Sequence, residues 1–187
     1  MKNNKHEKII SVAGNLISNK GYKGVSLQEI GDKVGLDKST IFHYFKNKET
    51  LLLRVLEKSV DEVNINLLRI VDDPELEPEE KLEKAINNHL VLLVEYFDNV
   101  NVYLNELRNL SKKYQAVYLR KRKKYEKDFE KIIIELKEKG YFDELDTKII
   151  AYGLLGMLNW VTKWYRKEGP LSIEQISNIF NRIVFPK

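Results

Sequence analysis

The stretch from Ser26 to Thr50 constrains this chain most, because it has the pattern of a helix, a tight turn and a second helix. Ser26 and Glu29 have the spacing of a capping box, which opens a helix. Gly35 suits the left-handed conformation in which many helices end, and Asp37 can accept bonds from the first free N–H groups of the next helix. An apolar joint, a glycine turn and a second helix with small polar residues at its front are typical of a helix–turn–helix.

This segment resembles the DNA-binding domain of TetR-family transcriptional regulators. The resemblance rests on G-Y-x-G-V-S-L-x-E-I followed by V-G-L-D-K-S-T-I-F-H-Y-F-K-N-K-E, and it extends from about Glu7 to Leu53. Phe42 stands where the family usually has a tyrosine, so a hydroxyl that could reach a phosphate is missing. Gly14 and Gly31 stand where alanine is common, and each is expected to weaken its helix by about 1 kcal/mol.

The positive charge is concentrated around this segment. Residues 1–52 hold nine lysines and five acidic residues, whereas residues 53–187 hold 23 basic and 23 acidic residues. The excess of positive charge is expected on a surface that binds a phosphate backbone. A solvated lysine surface would give the same count, so charge alone leaves both interpretations open.

Composition excludes several other classes of site. The chain has no cysteine, which excludes disulfides, thiolate zinc sites and cysteine nucleophiles. No apolar run approaches the roughly 20 residues of a membrane span, and the N-terminus lacks the apolar core of a signal peptide, so we expect a cytoplasmic protein. His6, His43 and His89 fall on different elements and no catalytic motif is present, so neither an enzyme nor a cofactor or metal site is expected.

The whole chain predicts an all-α fold of nine helices. Apolar residues recur with helical spacing, and no sustained strand alternation is visible. We expect a DNA-binding domain at residues 1–50, a linking helix at 51–71, and a ligand-binding and dimerisation domain at 72–187. The predicted helices span 4–19, 27–34, 38–44, 48–71, 79–97, 100–108, 111–139, 146–167 and 172–184.

The helix at 38–44 is expected to enter the major groove of double-stranded DNA with its N-terminal end. Tyr44 and Lys48 would then hold phosphates. The expected contacts, which match the family's DNA-touching positions, are Leu27, Gln28, Lys38, Ser39, Thr40, Phe42, His43, Tyr44 and Lys48.

Four of these residues also have an interpretation that does not involve DNA. Leu27 and Tyr44 could belong to the small core, Thr40 could bond within its own helix, and His43 could simply be exposed.

A lone helix–turn–helix contacts few base pairs, so such proteins pair and read palindromic operators. The segment 146–167 is apolar around most of its circumference, which indicates burial on more than one side. Gly153 and Gly156 would allow another helix to approach closely. We therefore expect a homodimer through helices near 146–167 and 172–184, although burial within one chain would explain the same pattern.

The second half of the chain is where regulators of this family bind a small molecule. Residues 155–160, 164–166 and 169–172 look like the acyl-CoA-responsive branch, so an acyl-CoA is one candidate for an apolar effector that releases a repressor from DNA. Aromatic and a few polar residues suit such a pocket. The candidate lining is His89, Leu93, Tyr96, Phe97, Tyr103, Leu107, Tyr114, Val117, Tyr118, Tyr125, Trp160 and Arg166.

Simpler interpretations of these residues stay open. His89 could be an ordinary core histidine, and most of the aromatic residues could be ordinary core. The basic run 120–124 could meet CoA phosphates or form a solvated face in which Arg122 pairs with Glu126. The protein could also be a DNA-binding regulator or activator that answers to a partner protein instead of a small molecule.

Overall fold

A computed structural model describes residues 2–186, and within them the chain forms nine α-helices and no strand. A short 3₁₀ turn at Leu107–Asn109 separates the sixth and seventh helices. The predicted all-α class is confirmed. The helices are α1 Lys2–Gly24, α2 Leu27–Val34, α3 Lys38–Tyr44, α4 Lys48–Val71, α5 Pro78–Glu95, α6 Phe97–Glu106, α7 Lys112–Glu138, α8 Thr147–Trp164 and α9 Ile173–Val184.

Local capping signals set several helix starts. The Ser26 side chain accepts a 3.0 Å bond from the Glu29 amide, and Asn47 caps α4 by accepting a 2.8 Å bond from the Thr50 amide. Ser172 opens α9 with the predicted capping box. The prediction for Asp37 was wrong, because its side chain makes no capping bond at the start of α3. The short α3 therefore depends on its packing.

The described chain forms two compact units that are not continuous in sequence. The first comprises residues 2–59 and 96–120, and the second comprises residues 60–95 and 121–186. Helix α6 and the start of α7 thus belong with the helix–turn–helix, although they lie after the boundary expected from chain order. The division into functional domains at 1–50 and 72–187 stays a prediction.

Asparagine side chains attach α6 to α1 and α4 within the first unit. Asn99 donates a buried 2.8 Å bond to the Val55 carbonyl, and Asn101 donates a 2.9 Å bond to the Ser18 hydroxyl. Asn15 of α1 donates to the Asp98 carboxylate at 3.0 Å. These bonds join helices that lie more than 40 residues apart in sequence, so helical periodicity could not reveal them.

The second unit packs α5 against α8 and α9 around an apolar core. Its fully buried side chains include Leu82, Ile86, Leu90, Phe129 and Leu158. One charged pair lies at the edge of this core, where Lys81 donates to Glu135 at 2.9 Å. Across residues 2–186, no helix combines the length and apolar character that a membrane span requires.

Candidate nucleic-acid interface and ligand site

The turn between α2 and α3 is unusually close. The Leu36 amide donates a 2.9 Å bond to the Gly31 carbonyl, and Gly35 has the left-handed conformation, with φ +74°. A Cβ atom added at Gly31 would lie 2.5 Å from the Leu36 carbonyl oxygen. Residue 31 must therefore be a glycine if the turn is to keep this geometry.

Helix α3 is fixed on one side and exposed on the other. Ile41 and Phe45 are buried. The residues expected to face bases lie on the opposite side, where Lys38, Ser39 and His43 are exposed and Thr40 is half-buried. Phe42 is also exposed, and the Lys38 ammonium lies 5.9 Å from the centre of its ring. The polar front of α3 is thus free of the protein's own first unit.

The two predicted contacts on α2 differ in exposure. Gln28 is exposed and donates a 2.8 Å bond to Asp32, so it is available at the surface. Leu27 is only 8% exposed and packs into the core beside Ile30 and Val34. Its side chain therefore fits the core alternative, and its backbone amide in the first turn of α2 is the part that remains for a DNA contact.

His6 is a residue at this surface that sequence reasoning missed. Its ring stacks on Phe45, with ring centres 4.9 Å apart and planes 22° apart, and lies 6.3 Å from the ring of the half-buried Tyr44. Its position three and four residues before the buried Ile9 and Ile10 could have placed it on the same face of α1. His6 therefore braces the C-terminal end of α3.

Lys48 is engaged within the first unit. Its ammonium donates to the Tyr22 carbonyl and lies 4.3 Å from the centre of the Tyr22 ring. Burial lowers the pKa of Lys48, and the nearby Glu106 carboxylate opposes that shift. Burial also raises the pKa of Tyr22, with the Glu49 charge adding to the effect. A phosphate contact by Lys48 stays a prediction, and it would compete with this bond.

Helix α8 has two apolar faces. One is buried, with Ala151, Leu158 and Val161 inaccessible. The other leaves Ile149 66% and Trp160 63% exposed. On α9, a shallow groove of about 380 Å³ is lined by Ile179, Arg182, Ile183 and Pro186. Burial within one chain therefore accounts for one apolar face of α8 but not for the exposed one.

Among the ligand-pocket candidates, His89 belongs to a buried hydrogen-bonded chain in the second unit. Its Nδ1 lies 2.8 Å from the Tyr125 hydroxyl. Burial lowers the pKa of His89 to about 4, and a hydrogen bond with the Asn159 side chain opposes the shift. The imidazole is therefore neutral near pH 7. Burial raises the pKa of Tyr125. His89 has the hydrogen bonds of a satisfied core histidine.

The other pocket candidates are divided between the two units. In the first unit, the rings of Tyr103 and Tyr118 lie 5.1 Å apart, and Tyr118 is buried. In the second unit, Leu93 is buried, whereas Trp160 and Arg166 are exposed. The half-buried candidates of the first unit are Tyr96, Phe97, Tyr103, Leu107, Tyr114 and Val117. Their role in ligand binding stays a prediction.

The basic run at 120–124 is largely ion-paired. Arg122 binds Glu126 at 2.7 Å, as the helical spacing predicted, and Lys121 binds Asp61 at 2.8 Å. This arrangement fits the solvated-face interpretation of the run. Within residues 2–186, no group of three or more histidine or acidic side chains could hold a metal ion.

Comparison with known proteins identifies both halves of the chain. Residues 9–55 match the model of bacterial regulatory proteins of the tetR family. Residues 75–186 match the tetracyclin repressor-like C-terminal domain. The KstR2 transcriptional repressor of Mycolicibacterium smegmatis is 25% identical over 96% of this chain and 88% of its own length.

Two further relatives cover nearly the whole chain. The fatty acid metabolism regulator protein of Bacillus subtilis is 25% identical over 93% of this chain and 90% of its own length. The crystal structure of AibR in complex with isovaleryl coenzyme A and operator DNA superposes with a TM-score of 0.87 and 28% identity. That match covers 97% of this chain and 98% of AibR. The chain therefore belongs to the TetR family of transcriptional regulators, a family of DNA-binding proteins rather than enzymes.

Proposed function

We propose that this protein is a homodimeric repressor that leaves a palindromic operator when an apolar small molecule binds to it. The exposed side of α3 is the observation that supports this proposal most directly. The short α3 is anchored by Ile41 and Phe45 and leaves Lys38, Ser39 and His43 exposed at its other side. An exposed, polar-fronted second helix is what a major groove accepts.

The roles on DNA follow from exposure and chemistry. Lys38 and His43 can donate to guanine O6 or N7, and Thr40 offers a hydroxyl and a methyl group. The Tyr44 hydroxyl and the Lys48 ammonium are assigned to phosphates. The backbone amides at the start of α2 and α4 are assigned to them as well, because helix N-termini favour anions. Phe42 and Gln28 extend the contact beside the base-facing residues. The protein would act in the cytoplasm, where bacterial DNA is accessible.

An acyl-CoA is the effector class that the relatives favour. AibR was crystallised with isovaleryl coenzyme A, and a second relative is named a fatty acid metabolism regulator. We assign effector binding to residues 72–187, which contain the aromatic candidates. The effector must prefer a conformation in which the two DNA-binding domains of the dimer do not fit the operator. A ligand shifts a conformational equilibrium only by the difference between its affinities for the two conformations.

The dimer brings two DNA-binding domains to one operator. TetR-family regulators are dimers, and α8 and α9 carry the exposed apolar side chains that such an interface buries. A pair related by two-fold symmetry reads two half-sites spaced by a whole number of helical turns.

Selection of random duplexes by the purified protein tests the proposal. We expect a two-fold symmetric consensus, and a consensus without symmetry would contradict a dimeric reader. The selected duplex is then titrated with isovaleryl-, octanoyl- and palmitoyl-CoA, with free CoA as the matched control. Release by an acylated form but not by CoA supports the effector class. If no acyl-CoA releases the DNA or raises the melting temperature, the effector assignment fails while DNA binding stands.

A further inference from the structure

The large exposed side chains of α8 are arranged symmetrically along the helix. An α-helix turns about 100° per residue, so Ile149, Tyr152, Trp160 and Trp164 fall within about one third of its circumference, and all four are exposed. The buried residues of α8 lie on the opposite side. This stripe, which is apolar apart from the exposed Lys163, is the part of the dimer face that α8 contributes.

The stripe is centred on Gly156. Tyr152 and Trp160 lie four residues before and after it, and Ile149 and Trp164 lie seven and eight residues away. In a two-fold interface the same patch lies on both subunits, so that residue i meets residue j and j meets i. A stripe that is symmetric about one residue fits an antiparallel copy of itself when the two helices cross at that residue.

The packing of residues 2–186 does not require a glycine at either of the two glycine positions on this stripe. A Cβ atom at Gly153 or at Gly156 would meet no atom within 4 Å, although a glycine in a helix interior costs about 1 kcal/mol relative to alanine. A glycine also lets another backbone approach closely. Gly156 is at the centre of the stripe, and Gly153 leaves a flat area beside Tyr152.

We propose that the two copies of α8 cross antiparallel at Gly156, with Trp160 packed on the flat area formed by the partner's Tyr152 and the partner's Gly153. This inference rests on the dimer of the proposed function and specifies its register. Ile149 then lies near the partner's Trp164 at each end of the contact. The large exposed side chains of the stripe are buried together, and the glycines become the sites of closest approach.

Cysteine cross-linking tests the register directly, because the natural chain contains no cysteine. In Gly156→Cys the two thiols flank the symmetry axis, and a disulfide needs Cα atoms within about 7 Å. We expect most of this variant to become a covalent dimer under mild oxidation. Lys163→Cys is the matched control on the same face. At about 1.5 Å per residue its two copies lie about 20 Å apart along the helix and should not cross-link.

Two further measurements separate this inference from dimerisation itself. Light scattering of the unmodified protein reports the dimer without reference to register, and Lys123→Cys on α7 reports random collisions. A dimeric protein whose Gly156→Cys variant does not cross-link, or cross-links no better than Lys163→Cys, overturns the proposed crossing point. A monomeric protein overturns the dimer as well.

Truncation of the central side chain gives an independent test. Trp160→Ala is expected to raise the dimer dissociation constant at least about 30-fold, as for a central interface residue. Leu119→Ala, which also truncates an exposed apolar residue but on α7, should leave it unchanged. Circular dichroism checks that both variants stay folded. Equal effects of the two substitutions would contradict a central place for Trp160.

Discussion

Gly14 and Gly31 stand where the family commonly has alanine, and alanine substitution is expected to change the stability of the protein in opposite directions at the two positions. At Gly14, the added Cβ would lie 3.5 Å from a Val55 methyl group and 3.6 Å from the Asn99 side-chain nitrogen, which is ordinary contact. Gly14→Ala should therefore gain the full difference in helix propensity, about 1 kcal/mol. At Gly31, the added Cβ would lie 2.5 Å from a backbone oxygen that cannot move independently.

Gly31→Ala changes the free energy of unfolding through three contributions. Gly31→Ala gains the same propensity of about 1 kcal/mol, but relief of the overlap with Leu36 costs about 1–3 kcal/mol. Opening the turn also weakens the bond from the Leu36 amide to the Gly31 carbonyl, worth about 1 kcal/mol. The sum is a destabilisation of about 1–3 kcal/mol. Alanine at this position thus requires a wider turn than the present one.

Urea unfolding of both variants at one fixed protein concentration measures these differences. A fixed concentration is needed because dimerisation contributes to apparent stability. In a chain of this size 1 kcal/mol corresponds to about 2–4 °C in Tm, so Gly14→Ala should melt higher and Gly31→Ala lower than the natural protein. If Gly31→Ala is stabilised as much as Gly14→Ala, then the close approach of Gly31 to Leu36 does not constrain the turn.

Three further predictions concern side chains described above. His6→Ala should weaken DNA binding by loosening the end of α3, and His6→Phe should restore it; failure of the phenylalanine to rescue would assign His6 a polar or charged role. Lys48→Ala should weaken binding to all duplexes and reduce the salt slope of log K by about 0.9, measured by fluorescence anisotropy. Weaker binding with an unchanged slope would mean that Lys48 only holds the Tyr22 backbone. Because burial lowers the pKa of His89 from 6.5 to about 4, the unfolded chain takes up a proton there before the folded chain does. Stability should be complete above pH 6.5 and fall between pH 6.5 and 4, by up to about 3 kcal/mol; His89→Gln should remove that dependence, and an unchanged pH profile would contradict it.

Features that depend on neighbouring residues could be predicted from the sequence. The side-chain cap at Ser26, the capping box at Ser172, the turn at Gly35 and the exposed front of α3 are each decided by residues close together in sequence. The family was also recognisable, because the helix–turn–helix uses particular residue types at fixed spacing. Asp37 shows the limit, since a suitable residue type did not produce a capping bond.

Long-range polar contacts could not be predicted. The bond between Asn101 and Ser18 spans 83 residues, and no periodic pattern indicates which asparagine meets which helix. The ammonium of Lys48 could have extended to solvent, and only the fold brings the Tyr22 carbonyl within its reach. Similarly, the sequence counts Trp160 among apolar residues of α8 but does not tell which face of the helix an adjacent element covers.

The attachment of α6 to α1 has a consequence for protein engineering. A hybrid regulator that exchanges DNA-binding domains at the end of α4 would leave Asn99 and Asn101 facing a foreign α1 and α4. The foreign α4 would have to place a backbone carbonyl where Val55 has it, and the foreign α1 would need a hydroxyl where Ser18 has it. Buried amide groups without acceptors are costly. A transplantable head would therefore consist of two separate sequence segments, 2–59 and 96–120, moved together.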